Sequence, residues 1–148
     1  MIEDFINATG KLNIQVIDPN GNVKQEQTVD NLVVTAGKVF IASRMAGTTS
    51  AVMSYMAIGT GTTAAAVGDT ALQTQSAIVA LTSTTPSSNT VVYVGTFPAG
   101  TPATLTAITE AGIFNAASAG TMLCHTIFSA VNKDTGDTMA ITWTITLS

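Results

Sequence analysis

The segment Thr138–Leu147 alternates apolar and small polar side chains without a break. Its apolar positions are Met139, Ile141, Trp143, Ile145 and Leu147, and every position between them is threonine or alanine. Successive side chains of a β-strand point to opposite faces, so this period of two indicates a strand with one face on a core. Such a strand needs neighbours to pair with, and the segment therefore predicts a β-sheet.

Shorter segments of the same kind occur along the rest of the chain, and one segment favours a helix. We expect the helix near residues 35–46, with Thr35 as its N-cap, Gly47 at its end, and Val39, Phe40 and Met45 on one side. Residues 64–73 could hold a further short helical turn, and residues 86–89 a β-turn. The expected strands are residues 11–17, 23–29, 52–58, 76–83, 91–97, 104–114 and 121–130.

These elements predict a mainly β protein, an antiparallel β-sandwich or jelly-roll-like fold with one short helix. A length of 148 residues suits a single domain. We expect this β-rich domain over residues 10–148 and an N-terminal arm over residues 1–9. Ile2, Phe5 and Ile6 make the arm a candidate interface with a neighbour, and the alternative is a tail folded onto its own domain.

Charged side chains make up only 9% of the chain, against about 25% in a typical soluble domain. Few charges give weak repulsion between copies, so we expect a homo-oligomer, with a trimer as the expected order. The five lysines and arginines are scattered, which argues against nucleic-acid binding. No run of 18 apolar residues and no signal peptide is present, so we expect no membrane insertion and synthesis in the cytoplasm.

Three residues invite a chemical interpretation. Cys124 and His125 are neighbours in an expected strand and should point to opposite faces, so they should not form a dyad. No acidic residue lies close in sequence to orient His125, although a distant one could. Glu110 lies in an apolar segment, where it is either a catalytic acid or a group that fixes a turn or a subunit contact.

Other motifs match the sequence patterns of known binding or modification sites only in part. Asp134 and Asp137 could bind Ca²⁺, but their spacing lacks the alternating carboxylates of an EF-hand and suits a solvated hairpin turn. The glycines near residues 35–38 and 59–63 do not form a P-loop, because Leu32 and Val39 replace required residues. Residues 7–9 match a glycosylation acceptor without a secretion signal. We expect no enzyme activity, and no catalytic, cofactor-binding or metal-binding residue.

Four stretches of the chain resemble small structural proteins of tailed-bacteriophage virions. They are Asn-Leu-Val-Val-Thr-Ala-Gly-Lys at 31–38, Ala-Ile-Gly-Thr-Gly-Thr-Thr at 57–63 with Gly-Asp-Thr-Ala-Leu at 68–72, Ile-Thr-Glu-Ala-Gly-Ile-Phe at 108–114, and Gly-Asp-Thr-Met-Ala-Ile-Thr-Trp-Thr-Ile-Thr at 136–146. The resemblance spans most of residues 31–146. It implies a β-rich virion protein that works as an oligomer, and it implies no catalytic residues.

Within that class, small size and low charge favour a capsid cement or decoration protein that binds the major capsid protein and stabilises the assembled shell. The alternative is a tail-fibre, collar or baseplate-associated subunit that binds tail proteins. Fibres commonly carry repeats or a long shaft, and the chain shows neither. Both alternatives place the protein in the virion.

Overall fold

The computed structural model describes residues 6–47 and 51–148. Within these residues, nine strands and one helix follow one another along the chain. Their bounds are β1 (Ala8–Ile17), β2 (Val23–Val33), α1 (Thr35–Met45), β3 (Tyr55–Gly59), β4 (Gln75–Ala80), β5 (Ser83–Ser87), β6 (Thr90–Phe97), β7 (Thr106–Phe114), β8 (Met122–Lys133) and β9 (Thr138–Leu147).

The strands form one antiparallel sheet in the order β4-β3-β7-β8-β2-β1-β9-β6-β5. β4 and β5 lie at opposite ends of this sheet, yet only Leu81 and Thr82 connect them. The sheet must therefore curl until its two ends approach each other. The Leu81 N–H donates to the Ser54 carbonyl and the Thr82 N–H to the Val94 carbonyl, which fixes this corner. The predicted mainly β, antiparallel fold with one short helix is confirmed.

The concave face of the curled sheet encloses one hydrophobic core. Leu12 and Trp143 enter it from one half of the sheet, and Ile58 and Ile113 from the other. The two halves pack so closely that a Cβ added to Gly95 of β6 would lie 2.7 Å from the sulfur atom of Met56 on β3. The predicted strand Thr138–Leu147 is confirmed, and it pairs with β1 on one side and β6 on the other.

Helix α1 lies across β8 and turns a different face to the protein than the sequence predicted. Val39 and Met45 are exposed, while Gly37 is buried and Phe40 and Ile41 pack against the core. The N-cap is Val34 rather than Thr35, because the Val34 carbonyl accepts the first hydrogen bond of the helix, from the Lys38 N–H. The buried face is the one that contains Gly37, because a glycine lets the helix backbone approach the Leu123 carbonyl more closely than a large side chain would.

Replacing Gly37 by alanine is expected to destabilise the fold by about 1–3 kcal/mol, although alanine favours helix formation. A Cβ at this position would lie 2.1 Å from the Leu123 carbonyl oxygen, and that oxygen belongs to the backbone of a central strand. Urea unfolding measures the change. Gly68→Ala is the control, because no atom lies within 4 Å of its added Cβ. Equal stability of the two variants would contradict the close helix–sheet contact.

Two segments differ from their sequence-based predictions. Residues 64–73 form no helical turn; a single turn closes there, in which the Asp69 N–H donates to the Ala66 carbonyl. Pro86 lies in β5 instead of a turn, which suits an edge strand because proline lacks an N–H.

The expected N-terminal arm also differs from its prediction. Ala8 and Thr9 pair with β9, and Ile6 and Asn7 precede β1. Ile2 and Phe5 lie outside the described residues.

Candidate functional site: a buried histidine–carboxylate network

The most unusual polar group of the fold is His125 on β8, which is fully buried between two carboxylates. Its Nδ1 lies 2.7 Å from Oδ2 of Asp69, and its Nε2 lies 2.9 Å from Oε2 of Glu110. When the ring is protonated, both nitrogens carry hydrogen and each can donate to one carboxylate. The network therefore joins β8, β7 and the loop between β3 and β4.

Glu110 is also fully buried and accepts three backbone hydrogen bonds from that loop. The donors are the N–H groups of Gly61 at 3.0 Å, Gln73 at 3.0 Å and Thr74 at 2.7 Å. Glycine makes the approach possible, since a Cβ on Gly61 would lie 2.7 Å from the carboxylate. One carboxylate thus binds both ends of residues 60–74, which we call the 60–74 loop.

The middle of the 60–74 loop is held by separate contacts. Asp69 accepts the Ala66 N–H at 2.8 Å, and the Thr35 N–H donates to the Val67 carbonyl at 2.7 Å. Leu72 packs with Val34, Ala57, Phe114 and Met122 in a small second core. The loop is therefore held on the outer surface of β3, β7 and β8 by an apolar contact at Leu72 and by the hydrogen bond between Asp69 and His125.

The surroundings of both carboxylates stabilise their ionised forms. Burial by itself raises the pKa of the Glu110 carboxyl, but the three N–H groups and the His125 ring outweigh burial and hold that pKa below its ordinary value of 4.5. The Ala66 N–H and, to a smaller extent, the His125 ring hold the pKa of Asp69 below its ordinary value of 3.8. Both groups are thus ionised near neutral pH.

This geometry holds the loop in place. Both ring nitrogens of His125 face carboxylates, and the ring has no solvent exposure. A general base needs a nitrogen within reach of a substrate. Cys124 packs in the main core, away from the network, and burial raises the pKa of its thiol far above the ordinary value. The predicted separation of Cys124 and His125 is confirmed. Glu110 binds the 60–74 loop, which agrees with the interpretation in which this carboxylate fixes a turn.

The Asp134–Asp137 turn holds a lysine ammonium where a Ca²⁺ ion was one possibility. Lys24 Nζ lies 2.9 Å from Asp134 Oδ2 and 2.6 Å from Asp137 Oδ2. Asp137 also accepts the Asp134 N–H at 2.9 Å and is only 2% exposed. The expectation of a solvated turn is therefore wrong for Asp137, because β2 and the turn enclose its carboxylate.

Neither glycine segment is arranged as a phosphate cradle. The Gly61 N–H points at the Glu110 carboxylate, and Thr35–Lys38 begins a helix that lies on the sheet. Across residues 6–47 and 51–148, no three His, Cys, Asp or Glu side chains converge as metal ligands would. The described part of the chain also contains no helix long and apolar enough to span a membrane.

Ile6 is the described member of the candidate interface, and it lies at the rim of an apolar groove. The groove has a volume of about 410 Å³ and runs between α1 and the paired ends of β1 and β9. Ile41, Met45 and Leu147 line it beside Ile6. Ile6 is 77% exposed and Met45 is 79% exposed, so this end of the molecule presents apolar side chains to solvent.

Sequence reasoning named Glu110 and His125 separately but missed Asp69. Asp69 lies 56 residues from His125, and Glu110 lies 15 residues from it. One signal was available: Asp69 belongs to the stretch 68–72, and Glu110 to the stretch 108–114, of the virion-protein resemblance. Gly59 and Gly61 belong to the stretch 57–63 of the same resemblance. These stretches meet in space around one carboxylate.

The fold should lose stability at acidic pH because of these carboxylates. Their folded pKa values lie below the ordinary values of 4.5 and 3.8, so the ionised groups stabilise the fold above about pH 4.5 and lose that effect as pH falls through the folded pKa values. Asp137 contributes in the same direction, since the Lys24 ammonium lowers its pKa.

Urea unfolding between about pH 7 and pH 3 measures this loss. In Glu110→Gln the loss over the same range should be smaller, because one titrating group is removed. An equal loss in the variant would show that Glu110 does not titrate with the fold.

Comparison with known proteins finds no matching family model, no matching curated protein and no matching solved structure.

Proposed function

We propose that this protein is a non-enzymatic structural protein of a tailed-phage virion, and that it acts as a capsid cement or decoration protein. The observation that carries the proposal is the outer face of β6 and β9. Inward side chains of these strands fill the core, and the outward ones carry no charge. We call the outward set the threonine face: Thr90, Val92, Val94, Thr96, Ala140, Thr142, Thr144 and Thr146.

The threonine face suits contact with another protein surface. Neighbouring positions across the two strands lie opposite each other in register, for example Val94 with Thr142 and Val92 with Thr144. Small hydroxyl and branched side chains lose little conformational entropy when they are covered, and the threonine face itself carries no charge to desolvate. The first charge beside it on β1 is Lys11, which lies opposite Thr144. A shell bound by many copies gains stability even when each contact is weak.

The histidine–carboxylate network supports a structural role. Asp69, Glu110 and Gly61 come from stretches that resemble virion proteins, whereas His125 lies outside them, and the contacts among these residues hold the 60–74 loop. The stretches of the resemblance therefore have a folding role in this chain. This is what the resemblance implies for a family without catalytic residues.

The N-terminal arm with Ile2, Phe5 and Ile6 is the proposed contact to the major capsid protein or to a neighbouring copy. Deleting residues 1–6 should weaken binding to assembled shells by at least about tenfold, since burying one large apolar side chain contributes about 1.5–3 kcal/mol. Folding should persist, because Asn7 and Ser148, which exchange two backbone hydrogen bonds, remain.

Co-sedimentation with purified shells measures the binding. Val23→Ser is the matched control, because Val23 is a 52% exposed apolar residue far along the chain from the arm. Unchanged affinity of the truncated protein would refute the arm contact. Binding to tails and not to shells would replace decoration by the tail-fibre, collar or baseplate alternative.

A further inference from the structure

The 60–74 loop buries very little apolar surface for its length. Of residues 60 to 74, only Gly61 and Leu72 are buried, and Leu72 alone packs as a large side chain into a core. A segment with few buried apolar contacts opens locally at a lower free energy than the whole fold. The polar contacts of Glu110 and His125 therefore provide a large share of the attachment of this loop.

The charges of the network balance only while its carboxylates are ionised. A protonated His125 lies 2.7 Å from Asp69 and 2.9 Å from Glu110. Acid neutralises carboxyl groups and leaves imidazole rings charged. A fully buried imidazolium would then have lost both counter-charges, and an unpaired charge is strongly unfavourable in a protein interior. Opening of the loop would relieve this by admitting water to the ring.

No charge on the surrounding elements takes the place of the two carboxylates. β3 and β4 contain no charged residue, and the salt bridges of Asp69 and Glu110 in the described part of the chain are those to His125. The remaining ionisable side chains of β3, β8, β2 and α1 are Tyr55, Cys124, Lys133, Lys24, Glu26, Asp30, Lys38 and Arg44.

These groups are placed elsewhere in the fold. Cys124 lies in the main core, and the Lys133 ammonium donates to two backbone carbonyls. Tyr55 packs against the second core. The Lys24 ammonium binds the Asp134–Asp137 turn, and the other charged side chains of β2 and α1 are exposed. Protonation of Asp69 and Glu110 therefore leaves His125 as the local charge.

We propose that the histidine–carboxylate network is an acid-released latch, and that the 60–74 loop leaves the sheet at low pH while the main core stays folded. Release uncovers the partners of Leu72 in the second core, among them Ala57, Phe114 and Met122. The folded pKa values of both carboxyls lie below the ordinary 4.5 and 3.8, so the latch holds above about pH 4.5 and weakens as pH falls through the folded values. This release does not depend on the virion role.

Amide hydrogen exchange of the full-length wild-type protein tests the release without any substitution. Protection factors, which correct for the intrinsic effect of pH on exchange, are compared between about pH 7 and pH 3. The reporter is the Thr35 N–H, because its acceptor is the Val67 carbonyl of the loop and neither group titrates. The reference is β9, which is paired on both sides.

Protection of the Thr35 amide should fall at least about tenfold more than protection of the β9 amides. An equal fall at Thr35 and β9 would mean that the loop opens only with the whole fold, and it overturns the proposal. A Thr35 amide that stays protected until the sheet unfolds overturns it as well.

Substitution of a network carboxylate gives the second test. Glu110→Gln cannot change its charge in this range, so the acid-induced fall in Thr35 protection should be at least about threefold smaller than in the wild type. Glu26→Gln is the matched control, because Glu26 is an exposed glutamate on β2, and it should keep the wild-type fall. Asp69→Asn tests the same point at a partly exposed position if Glu110→Gln does not fold. A wild-type fall in the network variant overturns the proposal.

Discussion

Replacing Glu110 by alanine is expected to lower the free energy of unfolding by about 3–5 kcal/mol. The substitution removes the acceptor of three backbone N–H groups and one partner of His125, all of them at a buried position. Donors left unsatisfied in the interior carry their full desolvation penalty. Urea unfolding at neutral pH, followed by the fluorescence of Trp143, gives the change.

Two variants separate the network from a general loss of a carboxylate. Glu26→Ala removes an exposed glutamate whose side chain accepts a hydrogen bond from Gln15, and it should change the stability by less than about 0.5 kcal/mol. Glu110→Gln keeps one oxygen acceptor and should lie between the two alanine variants. A Glu110→Ala variant as stable as Glu26→Ala would show that the network does not hold the 60–74 loop.

Replacing Trp143 by alanine should cost about 3–5 kcal/mol, because the indole is fully buried in the main core. Its strand neighbours Leu12 and Tyr93 lie directly opposite it on β1 and β6. Alanine would leave a large cavity between strands that cannot collapse without breaking their hydrogen-bonded register. Chemical unfolding measures the loss, and the native emission of Trp143 should be blue-shifted.

Trp143→Phe is the matched control, because it keeps an aromatic ring but removes an N–H. The Trp143 Nε1 atom is buried and has no hydrogen-bond partner in the described structure. Phenylalanine loses some packing contacts but also removes a buried donor that has no partner. The free energy of unfolding should therefore fall by less than about 1.5 kcal/mol. A loss as large as that of alanine, or a solvent-like native emission, would contradict this view of the core.

Local patterns predicted the strands well where one face alone is buried. Thr138–Leu147 alternates because the strand lies between β1 and β6 with one face on the core. Its bounds are those that the sequence indicated. The helix at Thr35–Met45 was also predicted. Its buried face was not, since the contact of Gly37 with the Leu123 backbone depends on how closely the helix approaches β8.

The candidate site was predictable only in parts. Glu110 and His125 stood out because a carboxylate and an imidazole lie in apolar strands, and that pattern indicates a specific partner. The partners themselves come from a loop whose path depends on the curl of the whole sheet. Asp69 was not singled out, because it reaches His125 only when the loop is held by Glu110, by the Thr35–Val67 hydrogen bond and by Leu72 in the second core.

The most direct test of the virion role is the number of copies of this chain per purified phage particle, measured by quantitative mass spectrometry against the major capsid protein. Shell decoration predicts on the order of hundreds of copies, because the contact gains its effect from repetition over the whole shell. A few copies to a few dozen would indicate a tail position. Absence of the chain from particles that encode it would contradict the account.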